Sequence, residues 1–241
     1  MTFVSYFLFE LHLRFRNPAQ IFFIFIFPLF LMVAFASSFG KSIPHYIESN
    51  IATIMFYGVL SAAIPSLSVQ IAEYQSGKIY QLFSQRGIKR LTYVLAQILS
   101  FMLIIFLSTL AVLLVAHLAY SYELPDITTL AIFYGKLYLY AVPFYFIAMI
   151  IGMRVKNSAT ASAVALPVMF ISYFLAGMMV PLAELSGNIR HIANHFFLTQ
   201  LLSDLTHTLT GNYTIVPNWS LIAESVLILL ILALLSYRKS I

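Results

Sequence analysis

An all-α integral membrane protein with six transmembrane helices is the fold class this sequence predicts, and three observations carry it. The 241 residues contain six apolar runs, each close to the roughly 20 residues that a helix needs to cross about 30 Å of hydrocarbon. Hydrophobic residues make up 61% of the chain and charged ones 9%, against about 25% charged in ordinary soluble domains. The basic residues gather in alternate loops, as short cytoplasmic loops do in multi-pass proteins.

The elements follow in chain order. On a helical wheel of the first 17 residues, Val4, Phe7, Leu8, Leu11 and Phe15 share one arc and Ser5, His12 and Arg16 another. That pattern predicts an amphipathic N-terminal helix lying in the cytoplasmic interface. The segment also carries Glu10 and Arg14 and has no continuous apolar core, so it does not read as a cleavable signal peptide. Spans are expected near 20–39, 51–71, 91–117, 131–153, 160–180 and 219–237. Pro28, Pro65, Pro143 and Pro167 fall inside four of them. Each removes a backbone donor, which a bundle tolerates where neighbours repair the gap. Small residues open the fifth span (Ser158, Ala159, Ala161, Ser162, Ala163, Ala165) and permit close helix approach.

Two connecting segments are more than loops. The stretch 72–90 is the only sizeable polar segment on its side, and Ile79, Leu82 and Phe83 fall on one face of a short helix at i, i+3, i+4. By periodicity alone such a face either packs on its own bundle or docks on a partner. The stretch 181–218 is long enough for short helices that dip back toward the membrane, its apolar pieces being too short to span.

Charge sets the expected orientation. Arg14, Arg16, Lys78, Arg86, Lys89, Arg90, Arg154, Lys156, Arg238 and Lys239 share one side, while Lys41, Lys136 and Arg190 take the other with Glu48, Glu123, Asp126, Glu184 and Asp204. Both termini are therefore expected in the cytoplasm of a multi-pass cell-membrane protein. The net charge of +5 reflects topology and implies no nucleic-acid partner. With no cysteine, disulfides and thiolate metal sites are excluded.

Gly40-Lys41-Ser42 resembles the end of a phosphate loop, but Phe35 stands where that loop needs its first glycine. The chain then offers no nucleotide site, no catalytic constellation and no enzymatic role of its own. His191 and His195 lie one helical turn apart with no third ligand nearby, which is weak for zinc. Glu224 sits about a turn and a half inside the sixth span and is a candidate for a polar pathway, since ionisable groups in membranes are functional by default. Tyr134, Tyr138 and Tyr145 form a stripe with Ala141 on the fourth span. They are read either as bundle packing or as a translocation surface for amphipathic molecules.

Two motifs carry a family resemblance that spans nearly the whole chain, 1–241, as one transmembrane domain. Glu73-x-x-x-Gly77-x-Ile79-x-x-Leu82 is similar to the coupling segment of type-2 ATP-binding-cassette (ABC) transporter permeases, and Gly177-Met-Met-Val-Pro181 resembles that family's entry into its external helices. Arg86 stands where the coupling segment often has proline, and Phe197 where the external helices often have Asn-Pro. The resemblance implies a coupling helix built on Glu73, Gly77, Lys78, Ile79, Leu82, Phe83 and Arg86, and re-entrant external helices gated near Gly177 and Pro181. It also implies a dimer of permease subunits, each served by a separate cytoplasmic ATPase that holds ATP and Mg, with no cofactor on this chain. The implied activity is export of an amphipathic or hydrophobic substrate such as a drug, antibiotic, peptide or lipid. A six-helix carrier or self-protection (immunity) protein working without an ATPase is the alternative.

Overall fold

The computed structural model describes residues 3–40, 45–85 and 90–239. Among them every regular element is helical. α1 covers Phe3–Phe15 and α2 residues 18–39; α3 is Tyr46–Ser76, α4 Ile79–Gln85 and α5 Arg90–Tyr120. α6 covers Ile127–Arg154, α7 Ser158–Leu175, α8 Gly187–His195, α9 Phe197–Thr210 and α10 Trp219–Lys239. Six of these helices are long and apolar enough to cross a membrane: α2, α3, α5, α6, α7 and α10. All six expected spans are present in order.

The core is organised around α3. Buried residues make up 94% of its most apolar stretch, against 17–44% in the other five spans. α2, α5, α6, α7 and α9 all pack against it. Because its neighbours are protein, α3 accommodates Ser61, Ser66, Ser68 and Gln70 in buried positions. It therefore outruns the apolar run by which the sequence bounds it, starting at Tyr46 and ending at Ser76.

Two prolines show how the bundle repairs its backbone. A proline leaves the carbonyl four residues earlier without its helical donor. For Pro28 that carbonyl is Ile24 O, and Ser108 on α5 donates its hydroxyl to it at 2.5 Å. For Pro65 it is Ser61 O, which accepts from the Ser66 hydroxyl at 3.0 Å. A π-turn precedes Pro28 at Phe22–Ile26 and another contains Pro65 at Ala62–Ser66, as expected where the helical ladder is interrupted. Gly58 makes the first repair possible. A Cβ there would stand 2.6 Å from Ser108 Oγ and 3.1 Å from Ile24 O.

Side-chain caps fix the starts of α6, α7 and α10. Asp126 accepts from the Thr128 and Thr129 amides at 3.1 and 3.2 Å, Asn157 from Thr160 at 2.8 Å, and Asn218 from Leu221 at 3.3 Å, satisfying amides that helix starts leave open. Hydrogen bonds from Thr129 hold the Asp126 carboxyl below its ordinary range. α7 stops at Leu175, short of the expected 180, because Gly177 adopts φ +72°. Gly177 N bonds to Phe174 O and Met178 N to Tyr173 O, which is the Schellman termination.

The antiparallel spans give the bundle two ends. α1, the α3–α4–α5 junction, the α6–α7 turn and the end of α10 share one, called here the N-terminal face. The 121–126 loop and α8–α9 lie at the other.

Candidate functional site

At the N-terminal face α1 is docked by its charged residues. Tyr6, Glu10 and Arg14, spaced four apart, are its buried side chains, whereas Val4 and Leu8 are 59% and 57% exposed. The apolar arc therefore faces away from the bundle and a polar stripe faces in. Arg14 donates through Nε to Ser100 Oγ at 3.0 Å on α5 and through Nη2 to Gln70 Oε1 at 2.9 Å on α3. Its guanidinium lies 3.4 Å over the Phe101 ring and 3.6 Å from Glu10 Oε2. Glu10 in turn accepts from Gln70 Nε2 and from the Tyr74 hydroxyl, both at 2.6 Å. Burial pulls the Arg14 guanidinium down to about 10, with Glu10 opposing the shift, so it stays charged at neutral pH.

The expected coupling segment hangs from this cluster. α3 ends at Ser76, Gly77 N bonds to Glu73 O at 2.9 Å, and Lys78 takes the left-handed conformation at φ +53°. Lys78 O then accepts from Gln81 N and Leu82 N and opens α4. The three apolar residues of α4 do not form one exposed face. Phe83 is half-buried, its ring 5.7 Å from Tyr6 and 6.4 Å from Tyr74, and Ile79 is half-buried beside Gly77. Leu82 is 51% exposed. Lys78 and Glu73 are exposed, and the Glu73 carboxylate has no partner among the described residues; its contribution is the backbone carbonyl. Arg86 lies outside the described residues, as do Lys41, Ser42 and Lys89.

The tyrosine stripe lies in the seam between α6 and α5. Tyr134 shares a hydrogen bond with Thr109 at 3.1 Å, Tyr138 donates to Met102 O at 3.1 Å, and the Tyr145 ring is 6.0 Å from Phe101. Tyr138 also borders an apolar groove of about 390 Å³ lined by Phe3, Phe7, Leu99 and Phe106. Glu224 is not part of this seam. It is exposed on α10.

At the opposite end, α9 is buried from Phe197 to Thr206. Asp204 accepts from Tyr140 at 2.6 Å and pairs with Lys136 at 2.8 Å, pinning α9 to α6. Phe197 stacks on Phe144 at 5.4 Å. Tyr57 donates to Met178 O, and Tyr173 donates to Tyr57 O at 3.0 Å while sharing a 2.8 Å bond with Ser61. Gly177 and Pro181 border a cavity of about 520 Å³ between α3, α8 and α9. His191 and His195 stack at 4.5 Å on α8.

The sequence reading missed the Glu10–Arg14–Gln70–Tyr74 cluster. Its signal was present as the four-residue spacing of Tyr6, Glu10 and Arg14 on α1 and of Gln70 and Tyr74 on α3.

Six apolar helices, the buried α3 among them, define a multi-pass membrane protein. The chain belongs to the ABC-2 type transporter family, whose model matches residues 2–209, and is a type-2 ABC transporter permease. The match runs from α1 almost to the end of α9. A comparison with curated proteins found no match.

Proposed function

We propose that this chain is the membrane-spanning half of an exporter driven by a separate cytoplasmic ATPase, working as a pair of permease subunits, with both termini in the cytoplasm. Family membership and the one-sided basic residues support this reading, and one observation carries the mechanism. Phe83 of α4 touches both Tyr6 of α1 and Tyr74 of α3, and Tyr74 bonds Glu10. A displacement of α4 therefore reaches α1, α3 and α5 through contiguous contacts. Two-state switching between inward- and outward-facing bundles needs such a rigid element at the nucleotide-driven end.

In this mechanism the residues of α4 divide the work. Leu82 docks on the ATPase, with Lys78 at the rim, while Phe83 transmits the motion to α1 and α3. Burying a leucine contributes roughly 1.5–3 kcal/mol, whereas an exposed ion pair contributes about 0–1. Leu82→Ala is expected to release the ATPase during purification more than Lys78→Ala does. Phe83→Ala is expected to retain the ATPase and lose transport. Full transport by Phe83→Ala at matched abundance would remove the coupling role of this segment. The substrate reading is an amphipathic drug, antibiotic, peptide or lipid, with Tyr134, Tyr138 and Tyr145 as aromatic contacts. The absence of cysteine makes orientation directly testable. A maleimide that cannot cross membranes should leave Ser84→Cys unlabelled in intact cells, and labelling from outside would reverse the topology.

A further inference from the structure

Three helices turn polar faces toward the cavity at the α8–α9 end. α9 contributes Thr199, Ser203 and Thr206, spaced i, i+4, i+7 on one face; α8 contributes Arg190 and Asn194 one turn apart; α3 contributes Thr53. The opposite face of α9 is occupied separately by the Asp204–Lys136 pair and by Thr208, which accepts from Lys136 at 2.9 Å. Packing of α9 against α6 therefore does not account for the polar stripe on the cavity side.

The lining is rich in donors and holds no carboxylate among the described residues. Ser203 is used structurally, donating to Ile215 O at 2.6 Å and accepting from Ile215 N at 2.8 Å. Thr199 donates to Leu175 O at 3.3 Å. The side chains of Thr53, Thr206, Asn194 and Arg190 have no partner among the described residues. A cation with hydroxyl and amide donors and no carboxylate in the lining matches a ligand that accepts hydrogen bonds and carries negative charge. The volume of about 520 Å³ falls within the roughly 300–1,000 Å³ of small-molecule sites.

We infer that this cavity binds a phosphate-bearing polar group, held by Arg190 and the free donors of Thr53, Thr206 and Asn194. The site lies within one subunit and needs no ATPase. Its position on the outer side of the membrane rests on the proposed orientation.

The test uses Thr53→Cys in the maltoside-solubilised full chain, reading the rate of maleimide labelling with two probes, sn-glycerol 3-phosphate and phosphatidylglycerol. Slowed labelling is expected with at least one probe. Protection by phosphatidylglycerol alone identifies a lipid headgroup as the source, and protection by both identifies a free phosphate group. Arg190→Gln should raise the probe concentration needed by about tenfold, as loss of a charge-assisted hydrogen bond implies, and Arg190→Lys should recover part of it. No protection by either probe, or equal protection in Arg190→Gln, overturns the inference. Labelling of Thr53→Cys in intact cells without a probe tests the orientation independently, so the two failures are distinguishable.

Discussion

α1 and α9 are both docked by a buried ion pair, yet they present opposite surfaces. α9 is buried along ten consecutive residues, Phe197 to Thr206. Its acid, Asp204, meets a lysine whose side chain is 32% exposed. α1 buries only Tyr6, Glu10 and Arg14 and turns Val4, Leu8, Phe9 and Phe15 outward. A helix buried on every side over ten residues, half of them polar, has no inexpensive alternative position. One held through a few charge-assisted bonds, with its apolar arc outward, could shift as a rigid lever if, as proposed, that arc meets lipid. In the proposed mechanism that difference would let α1 move while α9 stays fixed.

The largest effect that would break this comparison is at Arg14. Arg14→Ala leaves Glu10 buried without its cation, and removing one partner of a buried pair costs about 3–5 kcal/mol. Thermal unfolding in detergent should show a large fall in Tm, and proteolysis should cut α1 first. Glu10→Leu combined with Arg14→Met should be milder, because neither charge is then stranded. If α1 stayed protected in Arg14→Ala, the charges would not be what docks it.

A smaller effect is expected at the opposite end. Lys136 is about a third exposed and Asp204 keeps the Tyr140 hydroxyl as donor, so Lys136→Met is expected to cost about 1–3 kcal/mol. Unfolding should move less than for Arg14→Ala, and α9 should stay protected from proteolysis because its apolar contacts remain. A larger loss than that of Arg14→Ala would invert the ranking of the two ends.

The smallest effect sharpens the role of the coupling segment. Glu73 is exposed and contributes through its backbone carbonyl, so Glu73→Gln should change stability by no more than about 0.5 kcal/mol. Any loss of transport in that variant at matched abundance and unchanged Tm would then support the proposed contact with a separate ATPase.

Much of this architecture was legible in the chain. Each span announces itself because a helix in hydrocarbon must be apolar over the membrane's thickness, a condition visible in one dimension. Gly177 and Pro181 were legible as a motif, but the apolar run carries the expected span to 180; the left-handed Gly177 ends α7 at Leu175 instead. The inward face of α1 was not legible from hydropathy. In water an apolar arc faces the core, but beside lipid it can face out, and only contacts with α3 and α5 select the polar stripe as the buried one. Phe83 was ambiguous for a related reason, since periodicity places Ile79, Leu82 and Phe83 on one side of α4 without showing which of them Tyr6 and Tyr74 already cover.

The sequence by itself determined the membrane class, the six spans, the asymmetry of basic residues and the two motifs of the family. These depend on local composition and spacing, which a linear pattern records. Tertiary structure alone decided that Ser108 would repair the carbonyl that Pro28 leaves open, that Glu10 and Arg14 would meet Gln70 and Tyr74, and that Arg190 would share a cavity with Thr53 and Thr206. Each of those joins residues from different helices. Their partnership depends on helix rotation and crossing, set by close packing across the bundle.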